Sequence, residues 1–147
     1  MIERTPTVIM HPFFPKRVIP YMLGMWPNIG EHLRTYAENM KVFLSTFEGP
    51  IITLESSLIL ERTQAVFQVY GRSHKNTTFI PTHRWGPLPL KGWQELYNAL
   101  QPFNSQEVNV AGGYLDGVNK DLGCLGFTIR NLKNRKLSVR ILEGLTY

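Results

Sequence analysis

Cysteine is nearly absent from this 147-residue chain: Cys124 is the only one. A single thiol closes no intramolecular disulfide, and it suits a reducing compartment best. Aspartate is almost as scarce, with only Asp116 and Asp121. Both lie in the same stretch as the cysteine, "VNVAGGYLDGVNKDLGCLGFTIRNL". No apolar run approaches the roughly 20 residues that span a bilayer. The opening "MIERTPTVIMHPFF" has an early acid and no long apolar core, so it does not resemble a secretory signal. These absences predict a cytoplasmic protein with no membrane partner. Internal repeats, low-complexity tracts and flexible linkers are missing too, which favours one domain over residues 1–147.

What is present fits a globular chain. Apolar residues make up 43% and charged residues 18%. A domain of this size buries roughly 70% of the surface its unfolded chain exposes, enough for a core without metal or disulfide staples. The net charge is +5, and its densest cluster is "RNLKNRKLSVR" with Arg130, Lys133, Arg135, Lys136 and Arg140. Such a group suits the exposed carbonyls at a helix C-terminus. Nucleic-acid contact ranks below that reading because the remaining charge is dispersed.

Short β-like runs alternate with helical periodicity. "TPTVIMHP", "IITLES", "NTTFIPTH", "EVNVAGG" and "LSVRIL" read as strands. Asn28 with Glu31 three residues on resembles a capping box. Ile29, Leu33, Tyr36, Ala37, Met40 and Phe43 or Leu44 then follow at helical spacing. Ser57 to Tyr70 is set as a helix capped by Ser57, although Val66, Phe67, Val69 and Tyr70 favour β-structure and a hairpin is the rival. "PLKGWQELYNAL" carries Trp93, Leu96, Tyr97 and Leu100 on one face and is stopped by Pro102, and Leu122, Leu125, Ile129 and Leu132 mark the last helix. The punctuated segment Phe13–Pro27 reads as an ordered loop over the core, a lid, or a contact in a homo-oligomer. The fold class that follows is α/β: one Rossmann-like three-layer domain of about five mostly parallel strands flanked by helices.

Ligands in such sheets bind beyond the carboxyl ends of the strands, near the point where strand order reverses. His11 follows the first strand there, Glu55 and Ser56 the second, His83, Arg84 and Trp85 the third, and Gly112, Gly113 and Asp116 the fourth. If Asp121 or Asn119 caps the last helix, Cys124 lies in its first turn, where free amides favour a thiolate. The expected catalytic set is therefore Cys124 as nucleophile, with His11, His83 or Asp116 nearby as base. Gly112 and Gly113 amides would support an oxyanion, and Arg84 would fix a small anionic substrate, with Trp85 as a stacking surface. The bland counterpart is a buried Cys124 acting as a small hydrophobe. Gly112, Gly113, Gly117 and Gly123 admit a phosphate reading, and Asp116 with Asp121 a magnesium reading. More ordinarily, glycines serve turn geometry and aspartates serve caps. The histidines His11, His32, His74 and His83 lack metal-ligand spacing, so neither metal nor other cofactor is expected.

The segments "VNVAGG", "GCLGFTIRNL" and "LSVRILEG" resemble the C-terminal part of isochorismatase-like cysteine hydrolases. The resemblance covers about a quarter of the chain and implies the same fold class, with Cys124 as nucleophile. That family's aspartate after the first strand has no counterpart here, where "VIMHPFF" presents His11, and no lysine from mid-chain is assignable. The functional expectation is a small-molecule site at the strand ends, with cysteine-dependent hydrolysis as its chemistry. The alternatives are a non-catalytic interaction or structural protein, and a basic nucleic-acid-binding domain.

Overall fold

The computed structural model describes residues 5–13, 29–71, 76–82, 90–113 and 123–147. Five strands form one sheet: β1 (Thr7–Met10), β2 (Ile51–Ser56), β3 (Thr77–Thr82), β4 (Glu107–Gly112) and β5 (Ser138–Thr146). Their order is β3-β2-β1-β4-β5. Every neighbouring pair is parallel, with Val8 beside Ile52 and Val110, for instance. Parallel neighbours need crossovers, and helices α1 (Ile29–Thr46), α2 (Leu60–Val69), α3 (Leu90–Leu100) and α4 (Gly123–Asn134) lie in the intervening chain. The α/β expectation therefore holds, and Ser57–Tyr70 contributes a helix and not a hairpin.

Each layer follows from periodicity. Strands β1 and β2 are buried along their whole length, as a sheet covered on both faces requires. Alternate residues divide between two cores. Val8, Met10, Ile52, Leu54 and Ile80 pack with Leu96 and Leu100 of α3 and with Leu125, Ile129 and Leu132 of α4. Ile9, Ile51 and Ala111 pack with Leu33, Tyr36, Met40 and Leu44 of α1 and with Phe67 of α2. Burying a side chain such as Leu54 or Phe67 contributes about 1.5–3 kcal/mol. Strand β3 carries Pro81, which an edge strand tolerates because half its amides bond nothing in the sheet.

Three local expectations are corrected. Ser57 does not cap α2: its N-cap position is Ile59, with no side-chain cap. The turn before it is instead held by Ser56, whose carbonyl accepts from Ile59 N–H at 3.0 Å and whose hydroxyl accepts from Leu58 N–H. Ala37 of the α1 stripe is exposed, because the buried face runs through Leu33, Tyr36, Met40 and Leu44. Pro102 does not end the chain's helical path at once but opens a 3-10 turn, Gln101–Phe103, closed by left-handed Asn104. Among the described residues no helix is long and apolar enough to cross a membrane.

Candidate active site

The chain steps from β1 outward to β2 and β3, then returns across the sheet to β4 and β5. The reversal lies between β1 and β4, the place beyond whose carboxyl ends ligands bind in sheets of this kind. His11 is the first residue beyond β1, and Cys124 lies in the first turn of the helix that follows β4. Glu55 is the fifth of six residues in β2.

Two of these side chains, His11 and Glu55, meet, and Cys124 lies close enough to act on the charge of His11. His11 Nδ1 and Glu55 Oε1 are 2.8 Å apart, in a pair whose carboxylate is fully buried. An ionised carboxylate only accepts, so the pair places a proton on Nδ1 and leaves Nε2 for another partner. The Cys124 side chain lies near the ring and favours its protonated form. Burial alone would lower the His11 pKa. The interaction with Cys124, and the hydrogen bond and charge of Glu55, outweigh it and push the value from 6.5 up to about 9.

Glu55 is itself held from several sides. Its Oε1 also accepts the Ser56 amide at 2.9 Å, and Oε2 accepts from the Thr63 hydroxyl of α2 at 3.0 Å. A buried carboxylate without such donors would carry a large desolvation cost. Thr63 is buried one helical turn into α2, where the helix comes back over the sheet.

The backbone at His11 is left-handed, with φ +45°, a conformation uncommon for residues with a side chain. Its amide donates to Leu54 O at 2.8 Å, continuing the ladder to β2. Its carbonyl accepts from the Tyr147 hydroxyl at 2.5 Å, and the next carbonyl, of Pro12, accepts from the Tyr36 hydroxyl at 2.6 Å. The two phenol rings touch each other, centroids 4.6 Å apart. Burial pushes the Tyr36 phenol well above 10, and the charge of Glu55 adds to this, so Tyr36 stays a donor.

Gly113 does not offer the oxyanion amide expected of it, and both glycines serve backbone geometry. The Gly113 amide donates to Met10 O at 2.8 Å, so that donor is committed to the sheet and does not face an oxyanion. At Gly112, φ is +98° and a Cβ would lie 1.9 Å from Met10 O. At Gly113 a Cβ would lie 2.3 Å from the Tyr147 ring. Both glycines permit close approach of backbone and ring beside His11.

Of the expected site residues, His11 and Cys124 come together. His83, Arg84, Trp85, Asp116 and Asp121 lie outside the described residues, as does nearly all of the Phe13–Pro27 loop. His32 is exposed on α1. Cys124 also packs partly against the α3–α4 core, so its sulfur has an apolar side and a polar one. Glu55 was named from sequence among the residues at the strand ends but given no role, and Thr63, Tyr36 and Tyr147 were not assigned to the site. A signal existed for Glu55: it is the sole charge in the otherwise uncharged strand "IITLES", and charges are almost never fully buried unless paired. Tyr36 gave none, since it reads as one more member of the apolar stripe of α1.

In the basic cluster, Arg140 pairs with Glu107 at 3.4 Å on the surface and the Arg135 guanidinium lies 4.1 Å from the Tyr97 ring centroid. Among the described residues no group of three or more His, Cys, Asp and Glu is arranged to hold a metal ion. No family model, curated protein or solved structure matches the chain.

Proposed function

We propose that the chain is a cysteine-dependent hydrolase of small acyl compounds, with Cys124 as nucleophile, His11 as base and Glu55 as the group that orients the base. One observation carries this reading: the His11 imidazole lies between a buried carboxylate and the chain's single thiol, at the carboxyl edge of a parallel sheet. Nucleophile, base and orienting acid are the parts that covalent acyl transfer needs.

The steps follow from this order. Cys124 Sγ, its proton already resting on Nε2 of the His11 imidazolium, attacks the carbonyl carbon as a thiolate. The tetrahedral intermediate collapses, and the departing group takes that proton from Nε2. Water then attacks the resulting thioester and gives its proton to the now neutral His11, and the acid leaves as the thiolate–imidazolium pair is restored. Glu55 orients the ring and favours the imidazolium, which is present at rest and forms again when water attacks. The positive ring also favours substrates bearing a carboxylate near the scissile bond.

The resemblance of Val108–Gly144 to isochorismatase-like hydrolases supports Cys124 as the nucleophile. The acid of that family after β1 has no counterpart, and in this reading His11 and Glu55 serve instead. The test is alkylation of Cys124 by iodoacetamide at pH 7, followed by mass spectrometry, together with turnover of small activated esters and amides. Native Cys124 should react roughly tenfold or more faster than the same cysteine in urea. His11→Asn should abolish that excess, and Cys124→Ala should abolish turnover. A native rate no higher than the unfolded one, with no turnover, sinks the reading.

A further inference from the structure

We infer that Tyr147 and Tyr36 are positioning residues for the base: their hydroxyls clamp the left-handed backbone at His11 and Pro12 and so aim the imidazole between Glu55 and Cys124. The inference rests on the reading of His11 as the base of Cys124. Three observations support it. Both phenols donate to consecutive carbonyls, His11 O and Pro12 O, rather than to side chains. The two rings lie against one another, so each restrains the other. The backbone they hold has φ +45° at a non-glycine residue, a conformation that persists only where its surroundings over-determine it.

Tyr36 comes from α1 and Tyr147 follows β5, so the base is anchored by elements outside its own βα turn. Gly113 leaves the space the Tyr147 ring fills. The two hydroxyls bond backbone carbonyls, so their action on the imidazole runs through the backbone. In an extended backbone the His11 side chain would leave along another direction, and Glu55 would lose its partner. The groups facing His11 are then Glu55 of β2 and Cys124 of α4, with Thr63 of α2 one bond further, on Glu55.

The test uses Tyr147→Phe and Tyr36→Phe in the full chain, which delete one hydroxyl each and keep the rings. The His11 imidazole is titrated by NMR, and Cys124 alkylation at pH 7 is timed in parallel. In each variant the His11 midpoint should fall from about 9 by about one pH unit, and alkylation should slow roughly tenfold, the scale of one lost hydrogen bond. If both variants melt lower yet keep the wild-type midpoint and alkylation rate, the phenols are structural only and the inference is overturned. Should Tyr147→Phe fail to fold, Tyr36→Phe decides alone by the same two readouts. His11→Asn separates the two levels. If His11→Asn slows alkylation and the phenol variants do not, only this inference fails. If His11→Asn leaves the rate unchanged, the catalytic reading fails, and the NMR midpoint still decides whether the phenols aim the ring.

Discussion

Glu55 and His11, 44 positions apart in the chain, form a buried pair at 2.8 Å across the carboxyl ends of two adjacent parallel strands. A buried carboxylate is tolerable only when its oxygens are occupied, and here His11, Ser56 and Thr63 occupy them.

Removing the charge of Glu55 is expected to be costly. Glu55→Gln should destabilise the protein by about 2–4 kcal/mol, because it leaves an imidazolium buried without its counter-charge. It should also bring the His11 midpoint down from about 9. Urea unfolding and NMR titration check the two effects; an unchanged midpoint would show that Cys124 alone sustains the shift.

Stability should depend on pH in a definite direction. The folded-state pKa of His11, about 9, exceeds its unfolded value of 6.5. The folded state therefore binds the extra proton, and the contribution is fully present below about pH 6.5 and is lost as pH rises through about 9. Urea midpoints should fall across that window by the equivalent of a few kcal/mol. In His11→Asn this component of the decline should vanish.

Thr63→Val deletes one donor to Glu55 while keeping the side-chain volume. A loss of about 1–2 kcal/mol is expected, larger than for a surface hydroxyl because the acceptor is a buried charge. Thermal unfolding measures it, and a loss below about 0.5 kcal/mol would mean that Oε2 finds another donor.

Thr53→Val should have the opposite sign. The Thr53 hydroxyl is fully buried and without a hydrogen-bond partner. Replacing it with a methyl removes a desolvation cost, and a gain of about 1 kcal/mol is expected by urea denaturation. Destabilisation would reveal a hidden partner, such as a bound water.

Gly112→Ala should be among the most damaging single changes. The new Cβ would lie 1.9 Å from Met10 O in a backbone with φ +98°, and neither strand β1 nor β4 can retreat without breaking the central ladder. A loss of at least about 2–3 kcal/mol is expected, or no soluble protein at all. Near-wild-type melting would show that the β1–β4 spacing is softer than the geometry implies.

Element type was legible locally. Runs such as "IITLES" and the stripe Leu33, Tyr36, Met40, Leu44 carry their periods in a few neighbouring residues, and alternation of the two implies a parallel sheet. Even the ambiguous stretch Leu60–Val69, with its β-branched residues, becomes a helix because a crossover is needed to bring β3 alongside β2 in parallel. His11 and Cys124 were legible as candidates by the same rule, since each stands just past a strand or at a helix start. The partnership of His11 with Glu55 was not, and neither was the pair of phenols behind it. Those contacts join residues far apart in the chain. They depend on strand order, register and the direction in which one left-handed residue sends its side chain, and no local pattern encodes distances of that kind. Gly112 and Gly113 make the same point: as letters they suggest a ligand loop, whereas the packed chain uses them to let Met10 and Tyr147 come close.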